Sequence, residues 1–199
     1  MYSKHDDKYT RDILELRYTM YRNNYITTCE IIRKSGLPIR HQNPPEDVTE
    51  NIVKFIIINY DNDSSCKWAK GITSKPSGDL YSDKYPIDSP PEVKAFTSDG
   101  PSSFGPKKKF GILYFLDMRD WLNNRFVLWK VDVSSDSPEW HNIKMNNTQT
   151  LKEQCEKGVR PHISWENIYS QIPDKCLKVY DGTFEDIFIQ QVMKQVAEQ

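Results

Sequence analysis

Three residues in the middle of the chain have the types and the spacing that cleavage of a phosphodiester bond requires. Glu92 and Lys94 are separated by one apolar residue, Val93. Alternate residues of a β-strand face the same side, so Glu92 and Lys94 should project together while Val93 points to the core. Asp79 lies in a preceding strand-like segment, and in a hairpin it would stand opposite Glu92. The pattern therefore predicts a cluster of two carboxylates and one ammonium group.

This cluster has the composition of a metal-dependent hydrolytic site. Carboxylates can hold Mg²⁺ beside a scissile phosphate, where the ion neutralises charge, activates a water molecule and stabilises the leaving oxygen. A neighbouring lysine can orient or help to deprotonate that water. We therefore expect Asp79, Glu92 and the backbone carbonyl of Val93 to bind Mg²⁺. Lys94 would act on the water. Hard oxygen ligands of this kind disfavour a permanently held Zn²⁺.

An acid-x-lysine string is a weak signal by itself, so its surroundings decide its meaning. A second such string ends at Lys8, but it lies in a polar terminus without strand character. Glu92-Val93-Lys94 is followed by two apolar residues, as in a strand with a buried face. Asp83 and Asp88 are alternatives to Asp79. Asp88, however, is too close to Glu92 in sequence to face it across a hairpin. The remaining alternative is an exposed strand face without a catalytic role.

An aspartate followed by Glu-x-Lys on a strand is the PD-(D/E)xK nuclease signature. Its surroundings resemble a group of small type II restriction endonucleases, the group that cuts GCNGC. The resemblance extends from about Pro45 to Trp165. One difference is that two residues separate Pro76 from Asp79, in the most variable part of the motif. The segments that carry the resemblance are 78–82, 92–106, 114–117 and 160–165.

The resemblance implies Mg²⁺-dependent cleavage of both strands of double-stranded DNA at a short palindrome. A palindrome read by one small chain is most simply matched by a symmetric pair, so we expect a homodimer in which each subunit cuts one strand. A cognate DNA methyltransferase encoded nearby would be its partner. Related nucleases often carry a glutamate on a helix ahead of the hairpin, which makes Glu50 a further candidate metal ligand. The alternative for Glu50 is a solvated helix residue.

The segment from Ser98 to Lys109 is the predicted DNA-contact loop. Its glycines allow close backbone approach, and its polar side chains offer partners for base edges and phosphates. Arg160, in a second polar cluster, can reach the O6 and N7 edge of guanine. The alternatives are a structural turn with solvated lysines and a charge at a helix end. The predicted contact residues are Ser98, Asp99, Ser102, Ser103, Lys107, Lys108, Lys109 and Arg160.

The composition is that of an ordinary water-soluble globular protein. Of the 199 residues, 37% are hydrophobic and 28% are charged, with a formal net charge of −1. This balance gives no general attraction to DNA, so binding would depend on a local basic surface. No segment is apolar for long enough to cross a bilayer, and the N-terminus lacks the apolar core of a signal peptide. We therefore expect a cytoplasmic protein with reduced cysteines and no membrane contact.

Hydrophobic periodicity and capping signals predict helices before and after a central group of strands. Helices are expected at 10–34, 43–59, 150–158, 164–172 and 183–196. In the first helix, Ile13, Leu16 and Met20 fall on one face, and Gly36 ends it. The second should have Asn43 as its N-cap and bury a stripe of Val48, Ile52, Phe55 and Ile56. Thr150 and Glu153 form a capping box, and Ser164 can cap the helix that follows it. Strands are expected at 78–81, 91–96, 110–116 and 126–133. These elements predict one α/β nuclease domain over residues 1–199, with a central mixed β-sheet flanked by helices and a restriction-endonuclease-like core.

Two other functions remain open from the sequence. A junction resolvase or repair nuclease of the same superfamily would share the catalytic cluster, and a resolvase would cut four-way junctions with little base preference. A non-catalytic DNA-binding module would carry Glu-Val-Lys by accident and would not cut DNA when Mg²⁺ is present.

Overall fold

The computed structural model describes residues 7–37, 43–71 and 78–189. Its helices are α1 (Arg11–Ser35), α2 (Glu46–Tyr60), α3 (Pro138–His141), α4 (Leu151–Glu156) and α5 (Trp165–Gln171). Its strands are β1 (Lys67–Trp68), β2 (Leu80–Tyr81), β3 (Pro91–Phe96), β4 (Ser102–Ser103), β5 (Ile112–Asp117), β6 (Arg125–Val131), β7 (His162–Ile163) and β8 (Cys176–Thr183). Short 3-10 turns occupy Ala69–Gly71, Trp121–Asn123, Pro173–Lys175 and Glu185–Phe188.

Four of these strands form a mixed sheet in the order β3-β5-β6-β8. β3 runs parallel to β5, whereas β5 and β6 and then β6 and β8 are antiparallel. β3 is thus an edge strand of this sheet, and its open side is free to meet other parts of the chain. The expected fold, a central mixed sheet flanked by helices, is confirmed.

β5 shows how the sheet is enclosed on both faces. Ile112, Tyr114 and Leu116 pack into an apolar cluster with residues of α1 and α2. Leu113 and Phe115, which alternate with them, pack into a second cluster with residues of α3, α4 and α5. A strand buried on both faces reads as a continuous apolar run, which is why the sequence predicted it correctly.

The predicted buried faces and N-terminal caps of the helices are confirmed for some helices and wrong for others. The expected apolar stripe of α2 is buried, with Val48, Ile52 and Ile56 at 0% exposure. α2 begins at Glu46 after Pro45, however, and its first turn receives no side-chain cap, so the prediction of Asn43 as N-cap was wrong. Asn43 instead accepts a hydrogen bond from the Thr97 hydroxyl at 2.7 Å, beyond the end of β3. The capping box of α4 and the serine cap of α5 are confirmed.

The predicted hairpin between segments 78–81 and 91–96 is not formed by a strand ladder. β2 pairs with β1, in the register Lys67↔Tyr81 and Trp68↔Leu80, while β3 pairs with β5. Pro90 is the last residue of the connection between β2 and β3, and Pro91 is the first residue of β3. Neither proline has an N–H group to donate to a ladder.

The C-terminal part of the prediction was also wrong. The chain forms the strand β8 and then the 3-10 turn Glu185–Phe188, where a helix had been expected from Thr183. In the first half of β8 the neighbouring residues Leu177 and Lys178 are both exposed, so this half shows no regular alternation of buried and exposed positions. The rest of the predicted helix, through Val196, lies outside the described residues. Within the described part of the chain, no helix is long and apolar enough to span a membrane.

Candidate active site

Asp79 lies against the open edge of β3. Its Oδ2 accepts a hydrogen bond from the backbone N–H of Val93 at 2.9 Å, which replaces the missing ladder contact. The N–H and C=O groups of one residue point to the same side of a strand, so the Val93 carbonyl faces this edge as well. Gly78 makes the approach possible. It has a φ of 102°, and a Cβ atom there would lie 2.3 Å from Cγ of Pro90.

Glu92 and Lys94 project from β3 on the same face and form an ion pair. Lys94 Nζ donates to Glu92 Oε1 at 2.6 Å and lies 5.1 Å from the ring centre of Phe104. The side chain of Glu92 is only 3% exposed, against 20% for Lys94, so the alternative of an exposed strand face does not hold for Glu92. The carboxylate is therefore held in a mostly enclosed position, with Lys94 between it and the surface.

Lys108 is the second lysine of the cluster. Its Nζ lies 2.8 Å from Glu92 Oε2 and 3.9 Å from Asp79 Oδ1. The contact with Glu92 is an ion pair rather than a well-aligned hydrogen bond, because Glu92 Oε2 is buried and accepts no hydrogen bond within the described part of the chain. From the sequence, Lys108 was expected to contact DNA phosphates, and its position inside the carboxylate cluster was not foreseen.

Glu50 also belongs to this region and is not a solvated helix residue. It is 5% exposed and accepts hydrogen bonds from Trp68 Nε1 at 2.6 Å and from Lys70 Nζ at 3.0 Å. A cleft of about 270 Å³ is lined by Glu50, Asp79 and Lys94 together with residues at the start of α2 and in β3. Nothing in the sequence marked Trp68 or Lys70 as partners of Glu50, because both lie beyond α2 in the chain.

The three carboxylates influence one another. Burial, followed by the charge of Asp79, raises the pKa of Glu50 to about 7, although Trp68 and Lys70 oppose this. Burial and the charge of Glu92 raise the pKa of Asp79. Burial would also raise the pKa of Glu92, but Lys94 and Lys108 outweigh it and hold that pKa below its usual value.

The pKa of Lys108 shows the same balance from the side of the cation. Burial lowers it, but Glu92, Asp79 and Glu50 together raise it above the usual value. Lys108 therefore stays positively charged and compensates carboxylates that would otherwise repel one another.

The donor atoms at this edge fit a hard divalent cation. Asp79 and Glu92 offer carboxylate oxygens, Val93 offers a carbonyl, and Glu92 Oε2 has no hydrogen-bond donor to satisfy it. Among the described residues, no group of three or more His, Cys, Asp or Glu side chains is arranged to hold a metal ion. Mg²⁺ commonly takes only one or two carboxylates from the protein and completes its shell with water and phosphate oxygens, so this small set is adequate.

The two alternatives to Asp79 do not join the cluster. Asp83 is exposed and accepts a hydrogen bond from the Tyr81 hydroxyl at 2.7 Å. Asp88 is exposed in the connection between β2 and β3. Of the three candidate aspartates, Asp79 alone lies in the cluster with Glu92 and Lys108.

The two predicted DNA-contact segments are joined by a small sheet. β4 pairs with β7 in the register Ser102↔Ile163 and Ser103↔His162. Arg160 lies two residues before β7 and is exposed. Residues that are about sixty positions apart therefore form one surface, which the sequence had presented as two separate clusters.

Individual members of this surface differ in their surroundings. Ser98 and Lys107 are exposed, and Lys107 forms no ion pair in the described ranges. Lys109 contacts Asp136 at 2.5 Å. Asp99 contacts Arg119 at 2.6 Å, and Arg119 also binds Asp117 and Glu166. Arg119 carried no signal in the sequence, because its acidic partners come from three separate segments.

The mixed sheet has helices on both faces, and its edge strand β3 carries Glu92 and Lys94 with Asp79 against its open side. This is a restriction-endonuclease-like architecture. The model of the Bsp6I restriction endonuclease family matches residues 9–172, which is well over half of the chain. The chain therefore belongs to the Bsp6I restriction endonuclease family. It is an endonuclease of the type II restriction class, and its substrate is DNA. The chain matches no curated protein and no solved structure at a significant level.

Proposed function

We propose that this chain is a Mg²⁺-dependent type II restriction endonuclease of the PD-(D/E)xK superfamily that cuts both strands at a short palindrome. The recognition sequence that the resemblance suggests is GCNGC. The observation that carries the proposal is the meeting of Asp79, Glu92 and Lys94 at the open edge of β3, with Glu50 in the adjoining cleft. The enzyme would act in the cytoplasm beside a methyltransferase that protects the same sites.

In this proposal the metal ion would be held by the carboxylates of Asp79 and Glu92 and by the carbonyl of Val93. Glu50 would reach it through the cleft. When bound, Mg²⁺ supplies charge neutralisation at the scissile phosphate and a water of lowered pKa. Lys94 orients the attacking water and donates to the phosphate oxygens as negative charge develops on them. The ammonium group of Lys94 lies 5.1 Å from the ring centre of Phe104, within the range of a cation–π contact, and Lys94 lines the cleft.

DNA would approach along the surface that β4 and β7 join. Lys107 and Lys109 are proposed to contact phosphates, and Arg160 a guanine edge. Ser98, Asp99, Ser102 and Ser103 would contribute to discrimination between bases. Two copies related by a two-fold axis would read the two halves of the palindrome. Light scattering of the free protein and of its complex with a duplex tests this arrangement, and a monomer in both states would contradict it.

The catalytic proposal is tested by plasmid cleavage with Glu92→Gln and Lys94→Met. We expect each to lower the rate by on the order of 10²–10³-fold, because each removes charge at the reacting phosphate. The matched controls are Glu139→Gln and Lys175→Met, which break an exposed ion pair of 3.3 Å whose members do not line the cleft. Circular dichroism establishes that every variant is folded. Cutting by either active-site variant at the rate of the controls would contradict the assignment.

The metal requirement is tested with the same plasmid and EDTA-treated protein. Mg²⁺ or Mn²⁺ should restore cleavage, whereas Ca²⁺ should support DNA binding with little cutting, because its longer and looser coordination misplaces the water. Mapping the cut ends separates the rival functions. Cleavage at one repeated sequence supports restriction, cleavage of four-way junctions alone would identify a resolvase, and binding without any cleavage would identify a non-catalytic module.

A further inference from the structure

Lys108 occupies an unusual place for a member of an exposed lysine run. Its Nζ lies between two proposed metal ligands, 2.8 Å from Glu92 Oε2 and 3.9 Å from Asp79 Oδ1. The other oxygen of Glu92 is taken by Lys94 at 2.6 Å. The carboxylate that should bind a divalent cation is therefore already neutralised by two lysines from different segments.

The local backbone turns Lys108 inwards and its neighbours outwards. The N–H of Lys108 donates to the carbonyl of Gly105 at 3.0 Å, which closes a tight turn. Lys107 is exposed, and the side chain of Lys109 is 55% exposed beside Asp136. The side chain of Lys108 is 33% exposed and reaches into the cluster. The three lysines thus have different roles, although the sequence presents them as one basic run.

A divalent cation and the Lys108 ammonium cannot share this position. An ion bound to Glu92 would lie about 2 Å from a carboxylate oxygen. The ammonium group of Lys108 already lies 2.8 Å from Glu92 Oε2, on the side where the ion would bind. Two cations so close would repel strongly in a partly buried site. If Lys108 leaves and no metal ion takes its place, the buried Glu92 keeps only Lys94 as a counter-ion. The site therefore favours an exchange of Lys108 for the metal ion.

We propose that Lys108 is the resident counter-cation of the metal-free site, and that metal binding displaces it towards the DNA backbone. The inference rests on the proposed function, because it takes Asp79 and Glu92 as metal ligands. Lys108 lies in the predicted DNA-contact loop, so the displaced ammonium becomes available to a phosphate. Metal binding and DNA binding then strengthen each other. The metal ion releases Lys108 to contact a phosphate, and a phosphate that holds Lys108 leaves the carboxylates open to the metal ion.

The test measures Mn²⁺ binding by electron paramagnetic resonance at pH 8 without DNA. Lys108→Met should bind Mn²⁺ roughly tenfold more tightly than the wild type, within the range usual for coupled sites. Lys107→Met removes the same charge from the same loop and should bind as the wild type does. Glu92→Gln should lose binding, which identifies the site that is measured. Lys108→Gln is the second variant, in case the apolar replacement impairs folding.

A second readout uses DNA and Ca²⁺, which should not support cutting. In the wild type, Ca²⁺ should strengthen duplex binding measured by fluorescence anisotropy, and this enhancement should fall at least severalfold in Lys108→Gln. Equal Mn²⁺ affinities in the Lys108 and Lys107 variants, with binding lost in Glu92→Gln, would overturn the counter-cation role and leave the proposed function standing. Absence of Mn²⁺ binding in every variant would overturn both.

Discussion

Replacing Glu50 by glutamine should stabilise the metal-free protein above neutral pH. Burial and the neighbouring Asp79 raise the pKa of Glu50 to about 7 from its ordinary value of 4.5. Between these values the folded protein binds more protons than the unfolded chain, so the free energy of unfolding falls as the pH rises through this window. Each unit of difference between the two pKa values is worth about 1.4 kcal/mol, and the ionised Glu50 therefore costs about 3 kcal/mol at pH 8.

The measurement is urea unfolding in EDTA at several pH values between 5 and 8.5, analysed by linear extrapolation. The unfolding free energy of the wild type should decline relative to that of Glu50→Gln as the pH rises. Glu46→Gln is the matched control, because Glu46 contacts the same Lys70 at 2.8 Å but has a side chain that is 82% exposed. It should follow the wild type across the whole range.

The reasoning fails if Glu50→Gln and the wild type show the same pH dependence. In that case the carboxylate would be ionised without cost, and burial would not govern its titration. A further check is addition of Mn²⁺ at pH 8, which should recover much of the lost stability in the wild type, since a ligand that binds only the folded state stabilises it. The glutamine variant should recover less.

Three further predictions concern a buried ion pair, the glycine beside Asp79 and the proposed DNA-contact surface. Asp7→Ala should lower the unfolding free energy by about 3–5 kcal/mol, because it leaves the ammonium of Lys54, whose side chain is 4% exposed, without its carboxylate partner. Gly78→Ala should cost at least about 1 kcal/mol in thermal denaturation and should weaken Mn²⁺ binding, because its positive φ and the facing proline ring require glycine beside Asp79. Arg160→Ala should lower the preference for cognate over mismatched duplexes by about 1–3 kcal/mol in filter binding.

These three predictions have separate controls and separate contrary outcomes. For Asp7→Ala the control is Asp12→Ala, which changes an exposed first-turn residue of α1, and equal stability of the two variants would exclude a structural role for the buried pair. Gly36→Ala also changes a glycine of positive φ but has open space around it, so it should leave Mn²⁺ binding intact. Arg160→Ala with unchanged discrimination would assign that residue to the solvated surface.

The sequence predicted those parts of the fold that depend on neighbouring residues. The apolar run of β5, the capping box of α4 and the stop of α1 at Gly36 depend on residues a few positions apart. The face that a helix buries was harder to predict. Leu16 and Met20 of α1 are both 60% exposed, while Tyr18 is 3% exposed because it packs on distant aromatic residues.

The site shows the same division between local and distant information. Glu92 and Lys94 share a face because of strand alternation, which the sequence shows directly. The partners of Asp79, Glu50 and Lys108 depend on how β3, α2 and the loop before β5 come together. The open side of an edge strand can form hydrogen bonds with any segment of the chain. No local pattern therefore indicates that the Val93 N–H donates to a carboxylate rather than to a neighbouring strand.

The pairing of β4 with β7 has a consequence for changing the specificity of the proposed DNA-contact surface. Ser102 and Ser103 take their position from Ile163 and His162, and Phe104 is tied to the carbonyl of Pro161 by a hydrogen bond of 3.0 Å. A chimera that received only the first segment from a homologue would carry a foreign strand against its own partner. The segments that contain β4 and β7 should therefore be exchanged together when a variant of new specificity is designed.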